Sequence, residues 1–216
     1  MANCEKLIPI IIRWEAGVDP AKEENQGLTY RELFEKAKKK GYSNDPADRG
    51  GATMVGITIA TYTTYRKRKK KATPSVADLK AISFDEWFDI LKTMFWDKMQ
   101  ADGIANQSIA NLCVNTVWGT GPGYIKTIQQ VIGVKPDGLV GPVTVAAINN
   151  NPNQKDLFQR LWNRRKKFFE DIVARSVKEY ERKLGRKATE QELLRRMQKR
   201  FLKGWLNRLN SFQFVP

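Results

Sequence analysis

The sequence predicts a mainly α-helical fold with a small β-hairpin element, and three observations carry that expectation. Apolar residues recur at helical spacing, as at Leu7, Ile10, Ile11 and Trp14. Three helix-start boxes, Thr29-Tyr-Arg-Glu32, Ser83-Phe-Asp-Glu86 and Thr189-Glu-Gln-Glu192, set a hydroxyl three residues before a carboxylate. Residues 41–58, GYSNDPADRGGATMVGIT, are crowded with turn formers and close in β-branched alternation.

Taken in order, the first helix is short, buried and ends near Gly17. A polar segment runs to Lys40, within which the first box opens a helix through Leu33, Phe34 and Ala37. The turn-rich stretch reads as turns plus the hairpin. Ile59 to Tyr65 starts a helix that runs into Arg66-Lys-Arg-Lys-Lys-Lys71, and the second box opens one carrying Trp87, Ile90, Leu91, Met94 and Phe95. Ile104 to Trp118 is a strongly apolar helix stopped by Gly119-Thr-Gly-Pro-Gly123. Tyr124 to Ile132 and Pro142 to Asn149 read as helices around the turn Lys135-Pro-Asp-Gly138, with Pro142 at a first helical position. From Asp156 a long helix sets Leu157, Leu161, Phe168, Ile172 and Val173 on one face, with Arg164, Arg165, Lys166 and Lys167 on the other. The third box opens the last helix, toward Trp205. No internal repeat is evident.

The length, 216 residues, suits one compact domain or two small ones, and 41% hydrophobic residues are enough for a core. The chain has no histidine, which excludes Ser-His-Asp and Cys-His catalysis and His-ligated zinc. Cys4 and Cys113 are too few for a disulfide scaffold or a structural zinc site. Chemistry therefore falls to carboxylates, Lys, Tyr, Ser/Thr or a bound cofactor. The net charge of +15 is uneven: residues 1–150 hold 20 basic and 16 acidic side chains, residues 151–216 hold 18 and 7. Such a surface favours polyanions, whether nucleic acid, anionic lipid or an anionic cell wall. No apolar run is long enough for a membrane span, and Leu7 to Ile12 is too short, without a basic leader, for a signal peptide.

Trp14-Glu15 is the most informative pair. A carboxyl beside an indole at a helix C-terminus is favoured in its protonated form by desolvation and by the negative end of the helix dipole. Protonating a glycosidic oxygen requires such an acid. The alternative is a solvated Glu on a last helical turn. Gly50, Gly51 and Gly56 permit turns and close approach, and no Gly-Lys-Ser/Thr follows them to make a phosphate loop.

Gly41-Tyr-Ser-Asn-Asp-Pro-Ala-Asp-Arg-Gly-Gly-Ala-Thr-Met-Val-Gly-Ile-Thr58 closely resembles the signature of glycoside hydrolase family 108. These are muramidases, found in phage endolysins and in bacterial proteins labelled secretion activators. Phe95-Trp96-Asp97 is similar to the family's aromatic-Trp-Asp. Gly121-Pro-Gly123, Gln129 and Asp137-Gly-Leu-Val-Gly-Pro-Val-Thr144 resemble the associated peptidoglycan-binding region, and Phe201-Leu-Lys-Gly-Trp-Leu-Asn-Arg208 its terminal Gly-Trp-x-x-Arg motif. The resemblance implies a lysozyme-like helical fold that cuts the β-1,4 link between N-acetylmuramic acid and N-acetylglucosamine, without metal or cofactor. It also implies a catalytic region at 1–103 and a peptidoglycan-binding helical region at 104–216. The partners are then peptidoglycan and an anionic cell envelope, reached from the cytoplasm by export or release.

Two departures from the family pattern stand out. Lys40 occupies the place of the catalytic Glu immediately before the signature, and about two dozen residues separate Trp14-Glu15-Ala-Gly17 from Gly41-Tyr42. An insertion within the motif, with Glu15 keeping the role of general acid, accounts for this. Asn115 stands where relatives often carry Asp, as a structural partner or a substrate contact. A second catalytic group is expected among Asp45, Asp48 and Thr53, the two aspartates having turn capping as their alternative. Tyr42, Tyr62 and Trp96 are candidates for stacking on sugar rings, against the alternative that they are core. Arg66 to Lys71 is a solvated charge run or an envelope-attracting one. The rival functions are a non-catalytic wall-binding protein and a basic nucleic-acid-binding protein, the latter without any recognised nucleic-acid motif.

Overall fold

The computed structural model describes residues 1–45, 51–196 and 198–216. It is mainly helical, with eleven α-helices and one three-stranded antiparallel sheet among the described residues. The chain divides into two compact units, Met1–Ala105 and Asn106–Pro216.

In the first unit a 3-10 turn, Cys4–Leu7, leads into α1 (Ile8–Ala16). Ile8, Ile11 and Ile12 form its buried face, and Gly17 ends it at φ 68° with its N–H on the Arg13 carbonyl, 2.9 Å. Only glycine takes that left-handed position cheaply. Helix α2 (Tyr30–Lys38) has the full expected capping box: Thr29 accepts from the Glu32 N–H, and the Glu32 carboxylate accepts from the Thr29 N–H at 2.8 Å. The sheet runs β1 (Tyr42–Ser43), β2 (Thr53–Met54) and β3 (Ile57–Thr58), with Ser43 opposite Thr53 and Thr53 opposite Thr58. It is therefore one strand richer than a hairpin. Val55 and Gly56, both at positive φ (43° and 78°), make the two-residue turn from β2 to β3.

Helices α3 (Ile59–Arg68), α4 (Val76–Lys80) and α5 (Phe84–Ile90) follow, and α5 passes into a π-helical stretch, Leu91–Trp96. The start of α4 has a further box, Ser75 with Asp78, in which each side chain accepts from the other residue's N–H. The π stretch aligns residues five apart, so Leu91 and Trp96 are both fully buried while Met94 and Phe95 are only half-buried. A 3.6-residue period would have buried Met94 and Phe95 instead.

In the second unit α6 (Gln107–Thr120) is buried from Ser108 to Trp118 and forms the axis of the core. It begins later than its apolar run because Asn106 caps it, accepting from the Ile109 N–H at 3.0 Å. It also runs through Gly119 and ends at Gly121, φ 82°. The 31-residue α9 (Gln154–Leu184) packs on it, α7 (Ile125–Ile132), α8 (Pro142–Asn149) and α11 (Lys199–Asn210) pack on α9, and α10 (Glu190–Arg196) packs on α11. The expected last helix is thus two. Helix α9 packs on α11 through Phe169 and Trp205 (ring centroids 5.2 Å apart) and through the Trp162 indole N–H on the Leu209 carbonyl, 3.1 Å. Among the described residues no helix is long and apolar enough to cross a membrane. Cys4 and Cys113 are free, buried thiols.

Candidate active site

The end of α1 carries Trp14 and Glu15, both half-buried. After Gly17 the chain is pinned at once, Arg13 pairing with Asp19 at 3.3 Å and the Asn25 side chain donating to the Asp19 carbonyl at 2.7 Å. Residues 18–40 then fold as an element in their own right. Leu33, Phe34 and Ala37 are the buried face of α2, and Phe34 meets the Trp87 ring of α5 at 5.3 Å. This packing brings the chain back to its departure point. A Cβ placed on Gly41 would lie 3.3 Å from the Ala16 Cβ, 2.9 Å from the Ala37 carbonyl and 2.8 Å from Val55 Cγ2. The end of α1 and the start of the 41–58 stretch therefore lie close in space.

Val55 locks the other side of this junction. Its N–H donates to the Gly41 carbonyl at 2.8 Å, and its carbonyl accepts from the Trp87 indole N–H at 2.9 Å. A β-branched residue at positive φ is strained, and here it is fully buried and held by both hydrogen bonds. Strain of this kind is typical of functional sites.

Thr53 is half-buried on the central strand, its hydroxyl donating to the Gly51 carbonyl at 3.0 Å. The register sets Ser43 and Thr58 abreast of it. Ser43 had no sequence signal beyond its place in the signature. Asp45 is half-buried just after β1. Asp48 and Gly50 lie outside the described residues. Tyr42 is exposed on β1 with the Lys80 ammonium 4.0 Å from its ring centroid. Tyr62 and Trp96 are core residues, at 1% and 0% exposure, and present no ring face to solvent. Tyr62 donates instead to Glu86 (2.8 Å) and Trp96 to Asp102 (2.7 Å).

The basic run 66–71 is partly a clasp. Lys69 pairs with Asp89 and Lys71 with Glu86, each at 2.7 Å, and Arg66 donates to the Tyr62 hydroxyl at 3.3 Å.

In the second unit Asn115 is buried on α6, and its side-chain oxygen accepts from Arg208 Nε at 3.2 Å. Its surroundings there are those of a structural partner to the terminal Gly-Trp-x-x-Arg motif. Nearby on α9, Arg165 is buried among the rings of Phe169, Tyr124 and Phe168 (4.3, 5.4 and 5.6 Å). Burial pushes its guanidinium down to about 10, so it stays cationic at neutral pH. It donates to the Thr120 hydroxyl at 3.1 Å.

Between α7 and α8, buried Gln129 knots the turn. Its amide donates to Asp137 (2.9 Å) and to the Leu139 carbonyl (3.0 Å) and accepts from the Gly138 N–H (2.8 Å). Hydrogen bonds from the Leu139 N–H and from Gln129 hold the Asp137 carboxyl below its ordinary value. On this fixed turn Leu139 and Val143 are 75% and 74% exposed.

The first unit thus sets a carboxylate at a helix end close to a small three-stranded sheet. Residues 35–121 match the family model Glycosyl hydrolase 108, and residues 124–210 match the model described as Predicted Peptidoglycan domain. Residues 35–121 are thus similar to a family of glycosyl hydrolases and residues 124–210 to a peptidoglycan-binding domain, a pairing that fits a peptidoglycan-hydrolysing glycosidase. The first match begins inside α2, after Glu15, and continues through α6. Among solved structures, "Structure of Brucella abortus SagA" aligns with a TM-score of 0.60 at 24% identity, over 83% of this chain and 90% of that one, a likeness of fold. No curated protein matches the chain.

Proposed function

We propose that the chain is a muramidase, hydrolysing the β-1,4 bond between N-acetylmuramic acid and N-acetylglucosamine with Glu15 as general acid. The observation that carries this reading is the approach of Ala16 to Gly41, 3.3 Å from the Ala16 Cβ to a Cβ position on Gly41. Residues 18–40 separate Glu15 from the signature along the chain, and their packing returns the signature to the helix end that bears it. Glu15 protonates the leaving glycosidic oxygen. Thr53, with Asp45 and Asp48, is the group available to orient water or stabilise the oxocarbenium-like transition state. The Thr53 hydroxyl sits on a strand, where its position is better fixed than on a loop. Tyr42 is the exposed aromatic for a sugar ring. Retention on peptidoglycan falls to the second unit, where the Gln129 knot presents Leu139 and Val143, and the excess positive charge favours an anionic envelope. The chain acts on the wall after export or release.

Glu15→Gln is expected to lower release of reducing ends from purified peptidoglycan by about 10²-fold or more, with thermal unfolding unchanged. Turnover at the wild-type rate in that variant would remove Glu15 from the role. A second reading, a wall-binding protein without turnover, is favoured by one finding: the family match starts at residue 35 and leaves Glu15 outside it. Muropeptide products separate the two. New reducing ends at muramic acid require the enzyme, whereas retention on sacculi with no products is the binder.

A further inference from the structure

The positive excess of residues 151–216 has a location. This segment holds seven carboxylates, and each is joined to its own basic partner in an ion pair, from Asp156 with Arg160 to Glu190 with Lys199. The surplus cations are therefore other side chains. Three of them, Arg175, Lys178 and Arg182, are exposed on the second half of α9 at spacing i, i+3, i+7. Residues so spaced lie on one helix face, here extending about 10 Å along the axis. The carboxylates that border the stripe are already neutralised, Asp171 by Lys167 at 2.9 Å, Glu179 by Lys183 at 2.8 Å and Glu181 by Lys187 at 3.1 Å. Among the described residues no ion pair involves the three stripe cations.

A straight row of uncompensated charge fits a linear polyanion better than a compact one. Two of its three members are guanidiniums, whose fork of donors matches a phosphate oxygen pair. Tyr180 is turned roughly 140° away from Arg175 by the helical repeat of 100° per residue, so the stripe offers no ring on which a nucleobase would stack. We infer that the Arg175–Lys178–Arg182 stripe is a docking surface for a linear phosphodiester polymer attached to the bacterial wall. The inference rests on the reading of the chain as a wall hydrolase. It adds a second, electrostatic hold on the wall, separate from the peptidoglycan turn at Gln129.

The test uses the full chain and two wall preparations, one carrying its phosphodiester polymers and one stripped of them by acid. Binding is measured across a salt series for the wild type, for R175Q/K178Q/R182Q, and for a control, R160Q/K166Q/K199Q, that removes the same charge from ion-paired positions whose carboxylates do not border the stripe. The stripe variant is expected to lose affinity for the phosphate-bearing wall by about tenfold at low salt, with a log–log salt slope shallower by about two. It should cleave stripped walls at the wild-type rate, and its melting temperature verifies the fold. An equal loss in the control variant, or equal wild-type binding to both walls, overturns the inference. So does a loss confined to vesicles containing anionic lipid or to duplex DNA. If the wild type binds through the stripe yet releases no reducing ends from stripped walls, the hydrolase reading fails while the docking surface stands.

Discussion

At Gly41 a hydrogen atom stands where any other residue would force three neighbours apart. The Ala37 carbonyl, 2.9 Å from a Cβ there, belongs to the backbone of α2 and has little freedom to yield, and Val55 Cγ2 is fixed in the core at 2.8 Å. Gly41→Ala is therefore expected to destabilise the first unit by about 1–3 kcal/mol, the range for overpacking, read from the urea midpoint. Because the displaced atoms include Ala16, hydrolysis should fall by more than the lost folded fraction. An unchanged midpoint and rate would show that the junction relaxes freely. The same residue shows what a one-dimensional reading contains. Gly17, Gly41 and the signature were legible in the sequence, since a helix stop and a turn-rich motif are local chemistry. That Ala16 and Gly41 lie close was not, because it depends on Phe34 of α2 finding Trp87 at 5.3 Å. Burial of Tyr62 and Trp96 was equally hidden: an aromatic side chain reads the same on a sugar platform and in a core.

Among the elements, α3 and α5 are tied by two matched contacts, Tyr62 to Glu86 and Tyr65 to Asp89, both 2.8 Å. The tie explains why the box expected at Ser83 is half made. Ser83 accepts from the Glu86 N–H at 3.2 Å, while the Glu86 carboxylate is drawn to Tyr62 and Lys71 instead. Burial alone would raise the Glu86 carboxyl, but the hydrogen bonds from Lys71 and Tyr62 outweigh it and hold it below its ordinary 4.5. Asp89 is held below 3.8 in the same way by Lys69 and Tyr65, against burial. A carboxyl depressed in the folded state stabilises it fully above the ordinary value, and that contribution is lost as pH falls through the folded value. The denaturation midpoint should therefore decline below about pH 4.5, and less steeply in E86Q/D89N than in the wild type. Parallel profiles would mean that the tie contributes nothing. The tyrosines have the opposite limb: burial, then the carboxylates, raise both above 10, so their contribution fades as pH climbs past that value. Helix boundaries were mostly legible from caps and glycines. The π stretch was not, because an i→i+5 ladder leaves no signature in a pattern searched at 3.6 residues.

For the molecule as a whole, the charge asymmetry was plain from composition, but its meaning needed partners. Lys69 and Lys71 in the first basic run are engaged by Asp89 and Glu86, whereas Arg175, Lys178 and Arg182 are in no such pair among the described residues. Two basic segments of similar appearance thus divide into a clasp and an open surface. The absence of histidine narrows the chemistry, from composition alone, to carboxylates, Lys, Tyr, Ser/Thr or a bound cofactor. Glu15, Asp45, Asp48 and Thr53 are candidates on that exclusion and on the resemblance of residues 41–58 to a family signature, as expectations from sequence.

The cysteines give each half of the chain its own reporter. Cys4 lies in the first unit and Cys113 in the second, and burial pushes both thiols up to about 12. Neither should be alkylated in the native protein at pH 8, since the thiolate is the reacting form. In a denaturant series, pulse labelling resolved by mass spectrometry then times the opening of each core separately. Two distinct labelling midpoints are expected from two cores of different make-up, and coincident ones would mean that the halves open as a single cooperative body.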